Sequence, residues 1–248
     1  NSRISLSNND SGTSNTVFGY QAGNLIGSGD NYNTFIGHQV ADANMTNAVS
    51  NVGIGYVSLS ELTTGDANTA IGAESGFVLD TGSSNTIVGF QAGDAMTDNS
   101  DNTIVGKSAF SAADSGEDYN TIIGMNAGLS INHADSDNNV LIGYNAGVGG
   151  GAALKECVAI GVDAFNSTAA NAQTGTVAIG YNALTALTSG ANNLTVGYLA
   201  GKTLTTGAQN LAIGRQALEN HLTGESNIAI GYLSMGDTDA GTNSQDSD

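Results

Sequence analysis

A large side chain follows a recurring glycine at Tyr20, His38, Tyr56, Phe90, Met125, Tyr144, Tyr181, Tyr198 and Tyr232, with Ala73, Lys107, Val162 and Arg215 in the same place elsewhere. Rings repeated at a fixed interval beside Asn and Asp suit sugar recognition, the ring stacking on the sugar while polar groups take its hydroxyls. Tyr20, Tyr56, Phe90, Tyr144, Tyr181, Tyr198 and Tyr232 are therefore candidate glycan contacts. Aromatic stripes more often pack than bind, so the expectation carried forward is that these rings point inward, as spacers between coils or chains.

A second row is made of asparagine. Four residues before the glycine stand Asn15, Asn33, Asn51, Asn68, Asn85, Asn102, Asn120, Asn139, Asn193, Asn210 and Asn227, with Cys157 and Thr176 as exceptions. Asn tolerates left-handed backbone, and stacked Asn side chains can satisfy one another and the neighbouring backbone at a corner, so the row is expected to be a structural ladder.

Other chemistry is thinner. The stretches "DAMTDNSDN" (Asp94 to Asn102) and "HADSDNN" (His133 to Asn139) carry oxygen donors that could hold Ca²⁺, but neither has the spacing of a known calcium loop. No cofactor is expected, Ca²⁺ being the one ion these loops could take. His38, His133 and His221 lie in different repeats and outside metal or nucleophile motifs, so neither a metal site nor a catalytic residue is expected and the chain is read as a non-enzyme.

The element that positions these rows is the repeat itself. The glycines are Gly19, Gly37, Gly55, Gly72, Gly89, Gly106, Gly124, Gly143, Gly161, Gly180, Gly197, Gly214 and Gly231. Gly19 and Gly231 are 212 residues apart over twelve intervals, a mean period of about 17.7 with single spacings of 17 to 19. Such a period is too short for a propeller blade or a helix pair and fits one coil of a parallel β-solenoid or β-roll. The fold expected is all-β, about thirteen coils over residues 15–235. Residues 1–14 are expected to connect to an upstream part, and 236–248 to form an acidic polar tail of a segment cut from a longer chain.

Phase suggests which residues form the core. The position before the glycine is always apolar (Phe18, Ile36, Ile54 through Ile230), and the position three before it is Thr, Val, Leu or Ile. Strand alternation puts these two on one face, here expected to look inward. The residue between them, such as Phe35, Ala70 or Ile87, is also apolar and would look outward. A strand apolar on both faces needs cover on both, and identical chains are the simplest cover, so a homotrimer is expected. Because the Thr row (Thr69, Thr86, Thr103, Thr121) shares parity with the apolar stripe, the same reasoning argues against ice binding.

Composition sets outer bounds. Five Lys and Arg against 23 Asp and Glu give a net charge of −18, which repels phosphate backbones and anionic lipid, so nucleic acid is not an expected partner. No apolar run is long enough to insert into a membrane. Proline is absent, so turns must rest on Gly, Asn, Asp, Ser and Thr.

The pattern N-T-x-[IV]-G-[YF]-[QN]-A-[GL] resembles the repeats in fibres of tailed bacteriophages. "CVAIG" (Cys157 to Gly161) and "TVAIG" (Thr176 to Gly180) are similar to the repeats of trimeric autotransporter adhesin heads, whose period is shorter. The resemblance implies a trimeric, extracellular β-structure, on a virion or a cell surface, that attaches to a host glycan or receptor. An ice-binding solenoid and a polysaccharide-degrading fibre are the alternatives.

Overall fold

The computed structural model describes residues 4–5, 12–166 and 171–236, so the expected tail beyond Gly236 lies outside the described residues. Every regular element among them is a β-strand. The chain divides into two compact units, Asn1–Asn120 and Thr121–Asp248, and each is a parallel β-solenoid.

In the first unit β1 (Ile4–Ser5) pairs antiparallel with β2 (Thr16–Phe18). β3 (Thr34–Ile36), β4 (Val52–Ile54), β5 (Thr69–Ile71), β6 (Thr86–Val88) and β7 (Thr103–Val105) then stack on β2, all parallel. Register is strict: Thr69 faces Thr86 and Thr86 faces Thr103.

The second unit runs through β8 (Thr121–Ile123), β9 (Val140–Ile142), β10 (Leu154–Lys155), β11 (Val158–Ile160), β12 (Gln173–Thr174), β13 (Val177–Ile179), β14 (Leu194–Val196), β15 (Leu211–Ile213) and β16 (Ile228–Ile230). β8, β9, β11, β13, β14, β15 and β16 stack in that order, parallel and in register. β10 and β12 form a separate parallel pair.

Each strand of these stacks is three residues long because its ends are fixed by sequence. Around Gly89 the corners are turned by left-handed residues at Ser84 (φ 63°), Gln91 (φ 52°) and Gly93 (φ 52°). A left-handed non-glycine residue costs about 1–2 kcal/mol. Backbone bonds between coils hold these corners, as when Ser84 N donates to Asp66 O (2.8 Å) and Gln91 N to Ala73 O (3.0 Å).

The strand faces are the reverse of the sequence expectation. The middle residue of each three-residue strand points into the coil: Phe35, Ala70, Ile87, Ile104, Ile122, Leu141, Ala159, Ala178, Thr195, Ala212 and Ala229 are fully buried. The flanking residues, Thr86 and Val88 for example, are exposed or half-exposed. The reason is volume. A coil this short has room for one inward strand side chain, and in several coils the residue four after the glycine is large where that one is small; Ala70 with Gly76 and Ile104 with Phe110 depart from this exchange. Gly53 is followed by Leu59, Ala159 by Phe165, Ala178 by Leu184 and Ala212 by Leu218, whereas Phe35, Ile87 and Leu141 are followed by Ala41, Gly93 and Gly147. A Cβ on Gly53 would come 2.6 Å from Val40 Cγ1, so that space is already occupied.

A further inward position, seven after the glycine, holds Ile26, Leu62, Leu79, Met96, Ala113, Ile131, Leu187 and Leu204, and His221 takes the same place near the C-terminal end. Small residues three after the glycine, such as Ala92, Ala109 and Ala183, line the remaining wall. Cys157 is buried, and burial pushes its thiol pKa up to about 11. At pH 8 it stays protonated and should resist a disulfide reagent for as long as the second unit is folded, then react on denaturation, which a colorimetric thiol assay with and without urea would show.

Candidate functional site

Three rows run across the coils of each unit, at a corner, on the strand face and just past the strand end. The corner row is the asparagines. In the first unit Asn33 N donates to Asn15 Oδ1 (2.8 Å), Asn51 N to Asn33 Oδ1 (2.8 Å), Asn68 N to Asn51 Oδ1 (2.9 Å), Asn85 N to Asn68 Oδ1 (3.0 Å), Asn102 N to Asn85 Oδ1 (3.0 Å) and Asn120 N to Asn102 Oδ1 (2.8 Å). The Nδ2 groups reach on to loop carbonyls, as from Asn85 to Asn99 O (2.7 Å).

In the second unit Asn139 Oδ1 accepts from Cys157 N (2.9 Å), and Asn193, Asn210 and Asn227 continue the ladder at 3.0 Å per step. Cys157 and Thr176 interrupt it. Near that lapse Thr176 Oγ1 and both amide atoms of Gln173 are buried without a hydrogen-bond partner. Asn is therefore the residue that closes the corner's polar groups. Asn85→Ala would orphan the buried N–H of Asn102 and the carbonyl of Asn99, a loss of about 2–6 kcal/mol at 1–3 kcal/mol per group. A urea titration should show a lower midpoint at an unchanged slope.

The strand face is the second row. In the first unit its outer side carries Thr16, Thr34, Thr69, Thr86 and Thr103, with Val52 as the exception, paired with Phe18, Ile36, Ile54, Ile71, Val88 and Val105. In the second unit Thr121 gives way to Val140, Val158, Val177, Leu194, Leu211 and Ile228, beside Ile123, Ile142, Ile160, Ile179, Val196, Ile213 and Ile230. Ile228 and Ile230 on the last strand are 63% and 64% exposed. The Thr row therefore points outward, contrary to the expectation that set ice binding aside.

The third row is the residue after the glycine, and here too the inward expectation is corrected. Tyr20, His38, Tyr56, Phe90, Tyr144, Tyr181, Tyr198 and Tyr232 are all exposed. They point out because the inward volume is taken by the middle strand residue and its partners. Tyr20 stacks on His38 (centroids 5.0 Å apart), His38 lies against Tyr56 (5.4 Å), and Tyr181 stacks on Tyr198 (5.4 Å, planes 12° apart). Two residues that interrupt the aromatic row are cations seated on it. Lys107 Nζ lies 5.9 Å from the Phe90 ring, and Arg215 Cζ lies 5.6 Å from Tyr198 and 5.5 Å from Tyr232.

The remaining candidates are not brought together. His38 belongs to the aromatic row, His133 Nδ1 sits 3.9 Å from Asp135 Oδ2, and His221 is buried with Nε2 3.3 Å from Asn227 Nδ2. In the acidic stretches burial is the main cause raising the Asp94 pKa, with the charge of Glu74 adding to it, and Asp98 Oδ1 accepts from Gly116 N (3.0 Å). Among the described residues no group of three or more His, Cys, Asp or Glu could hold a metal ion, and no helix is long and apolar enough to cross a membrane.

Sequence reasoning missed two things that bear on these surfaces: the exchange of volume between the middle strand residue and the residue six positions on, and the membership of Lys107 and Arg215 in the aromatic row. Both were present in the phased alignment. No family model matches the chain, and neither a curated protein nor a solved structure does.

Proposed function

We propose that this chain is a structural and adhesive fibre segment that projects from a virion or cell, assembles with further copies of itself through its strand face, and contacts a surface glycan. The observation that carries this reading is the outer face of the second unit, where Val140, Val158, Val177, Leu194, Leu211 and Ile228 follow one another in register beside an unbroken Ile and Val row. A chain with a net charge of −18 keeps every charged residue off this stripe. Contiguous exposed aliphatic rows of this kind mark interaction surfaces, and copies of the same chain offer an equally regular row to pack against. The aromatic row supports the glycan contact, since its rings are exposed and several stand on successive coils. Several copies would then add weak contacts into useful avidity.

The test is the native mass of the purified chain in solution. Three chains per particle are expected at micromolar concentration, and a single chain that stays soluble with its aliphatic stripe open to water would refute the assembly.

A second reading, ice binding, is favoured by one observation: Thr34, Thr69, Thr86 and Thr103 point outward beside Ile and Val. Strand stacking repeats their hydroxyl and methyl groups every 4.7–4.9 Å or so. Thermal hysteresis measured on the same sample separates the readings: a freezing-point gap that disappears in Thr86→Lys supports ice binding, and its absence removes it.

A further inference from the structure

We infer that the C-terminal end of the aromatic row is a binding site for a carboxylate-bearing sugar, a uronic-acid glycan, centred on the Arg215 guanidinium between Tyr198 and Tyr232. This deepens the attachment reading above and rests on it.

Four successive coils place Tyr181, Tyr198, Arg215 and Tyr232 one above another. Backbone bonds fix that spacing: Leu199 N donates to Tyr181 O (2.9 Å), Gln216 N to Tyr198 O (2.8 Å) and Leu233 N to Arg215 O (3.0 Å). The side chains thus stand on a preformed support, and little ordering is left for a ligand to impose. Tyr181 and Tyr198 present a near-parallel pair of rings, and the guanidinium lies over the next ring on each side.

Arg215 is exposed and, among the described residues, has neither an ion pair nor a side-chain hydrogen bond to the protein, although the chain carries 23 acids. Its guanidinium carbon lies within 5.6 Å of a ring centroid on each side, and its N–H groups, with no protein acceptor among the described residues, are free to take a carboxylate through two parallel bonds. Its neighbour Gln216 is itself held, Nε2 donating to Glu219. Of the basic residues among the described residues, Lys107, Lys155, Lys202 and Arg215, two stand in this row and both sit on an aromatic ring.

The ligand class follows from what the surroundings admit. Tyr198 is covered by Tyr181 on one side and by Arg215 on the other, so the flat apolar surface open to a sugar beside the guanidinium is that of Tyr232, which is 64% exposed, and Arg215 offers a single cation next to it. The overall charge of −18 disfavours any long polyanion, whether nucleic acid, sulfated chain or polyuronate, so the ligand is a short oligosaccharide. A short uronic-acid oligosaccharide, with a sugar ring on Tyr232 and one carboxylate on Arg215, fits both conditions.

The test titrates the full chain with an oligogalacturonate and, separately, with a neutral glucan of the same length. The oligogalacturonate should bind more tightly. Arg215→Gln should weaken it roughly tenfold to a hundredfold, the range for losing a charge-assisted hydrogen-bonded contact, a far larger factor than any loss of glucan binding, while the variant keeps a cooperative melt. Arg215→Lys, which keeps the charge and loses the fork, should fall between, and Lys202→Gln outside the row should have no effect. Absence of oligogalacturonate binding, or binding indifferent to Arg215→Gln, overturns the inference. Equal binding of both sugars that is lost in Tyr232→Ala also overturns it but leaves glycan attachment standing, and a multi-chain particle that binds neither leaves only the assembly.

Discussion

Replacing Gly89 by alanine is expected to abolish cooperative folding of the first unit. Gly89 has φ 144°, and a Cβ placed there would lie 2.6 Å from the carbonyl carbon of Gly106 on the next coil and closer still to its oxygen. The atoms it meets are backbone, held by Gly106 N donating to Val88 O and Gly89 N donating to Ile71 O (both 2.8 Å), so no rotamer change relieves the clash. The combined cost of clash and forbidden backbone is on the order of 4–5 kcal/mol or more, comparable with the whole stability of a small folded unit. Gly76→Ala is the control. Its φ is 56°, its Cβ would meet only the flexible ends of Ile87 and Leu59 at 3.1 and 3.2 Å, and Ala41 already occupies the equivalent place in another coil. A loss of about 1–2 kcal/mol is expected there. Thermal melts followed by circular dichroism at 218 nm or so distinguish the two, since stacked strands dominate that signal.

This contrast explains how much of the molecule was legible in its sequence. The glycine and asparagine rows stood out because each is dictated by backbone alone: a neighbouring coil allows no Cβ at Gly89, and a buried corner needs both the acceptor and the donor of Asn85. Period and strand position followed from them. Which face of the strand points inward did not, because both faces are apolar and hydrophobicity cannot rank Ile87 above Val88 or Ala178 above Ile179. Constancy was the misleading cue. The row before the glycine is uniformly Ile, Val or Phe and so resembled a core, whereas the true inward residue ranges from Gly53 to Phe35. An enclosed volume shared by several side chains permits such variation, and the pairs Gly53 with Leu59 and Ala178 with Leu184 show a large residue opposite a small one, whereas Ala70 with Gly76 and Ile104 with Phe110 do not. Among the strand's apolar rows, the uniform one lies on the outer face, where each coil offers the same shape.

The aromatic row was likewise seen but turned the wrong way. Its interruptions were more informative than its rings: Lys107 and Arg215 have no place in a short coil's interior, and both lie against exposed aromatic faces. If the strand face is covered by copies, the aromatic row stands at its margin, one glycine beyond Val196 and Ile213. A dry centre flanked by a polar, solvent-accessible rim is the usual make-up of a stable interface.

The central claim is that the middle residue of each three-residue strand points into the coil while its two flanking residues point out of it, and adjacent residues of β13 test it. Ala178 is fully buried between Ala159 and Thr195, so Ala178→Lys would place an unpaired charge in a closed core, with a loss of about 3–5 kcal/mol or more. Val177 is half-buried on the outer side, where a lysine stem can lie along the face and carry its ammonium to water, so Val177→Lys should cost the single chain within about 1 kcal/mol. The measurement is the thermal melt of the two variants side by side. The structure predicts that Ala178→Lys loses its cooperative transition while Val177→Lys keeps a β-sheet spectrum and melts as a folded chain; a Val177→Lys protein that is unfolded beside an Ala178→Lys protein that melts like the parent would contradict it.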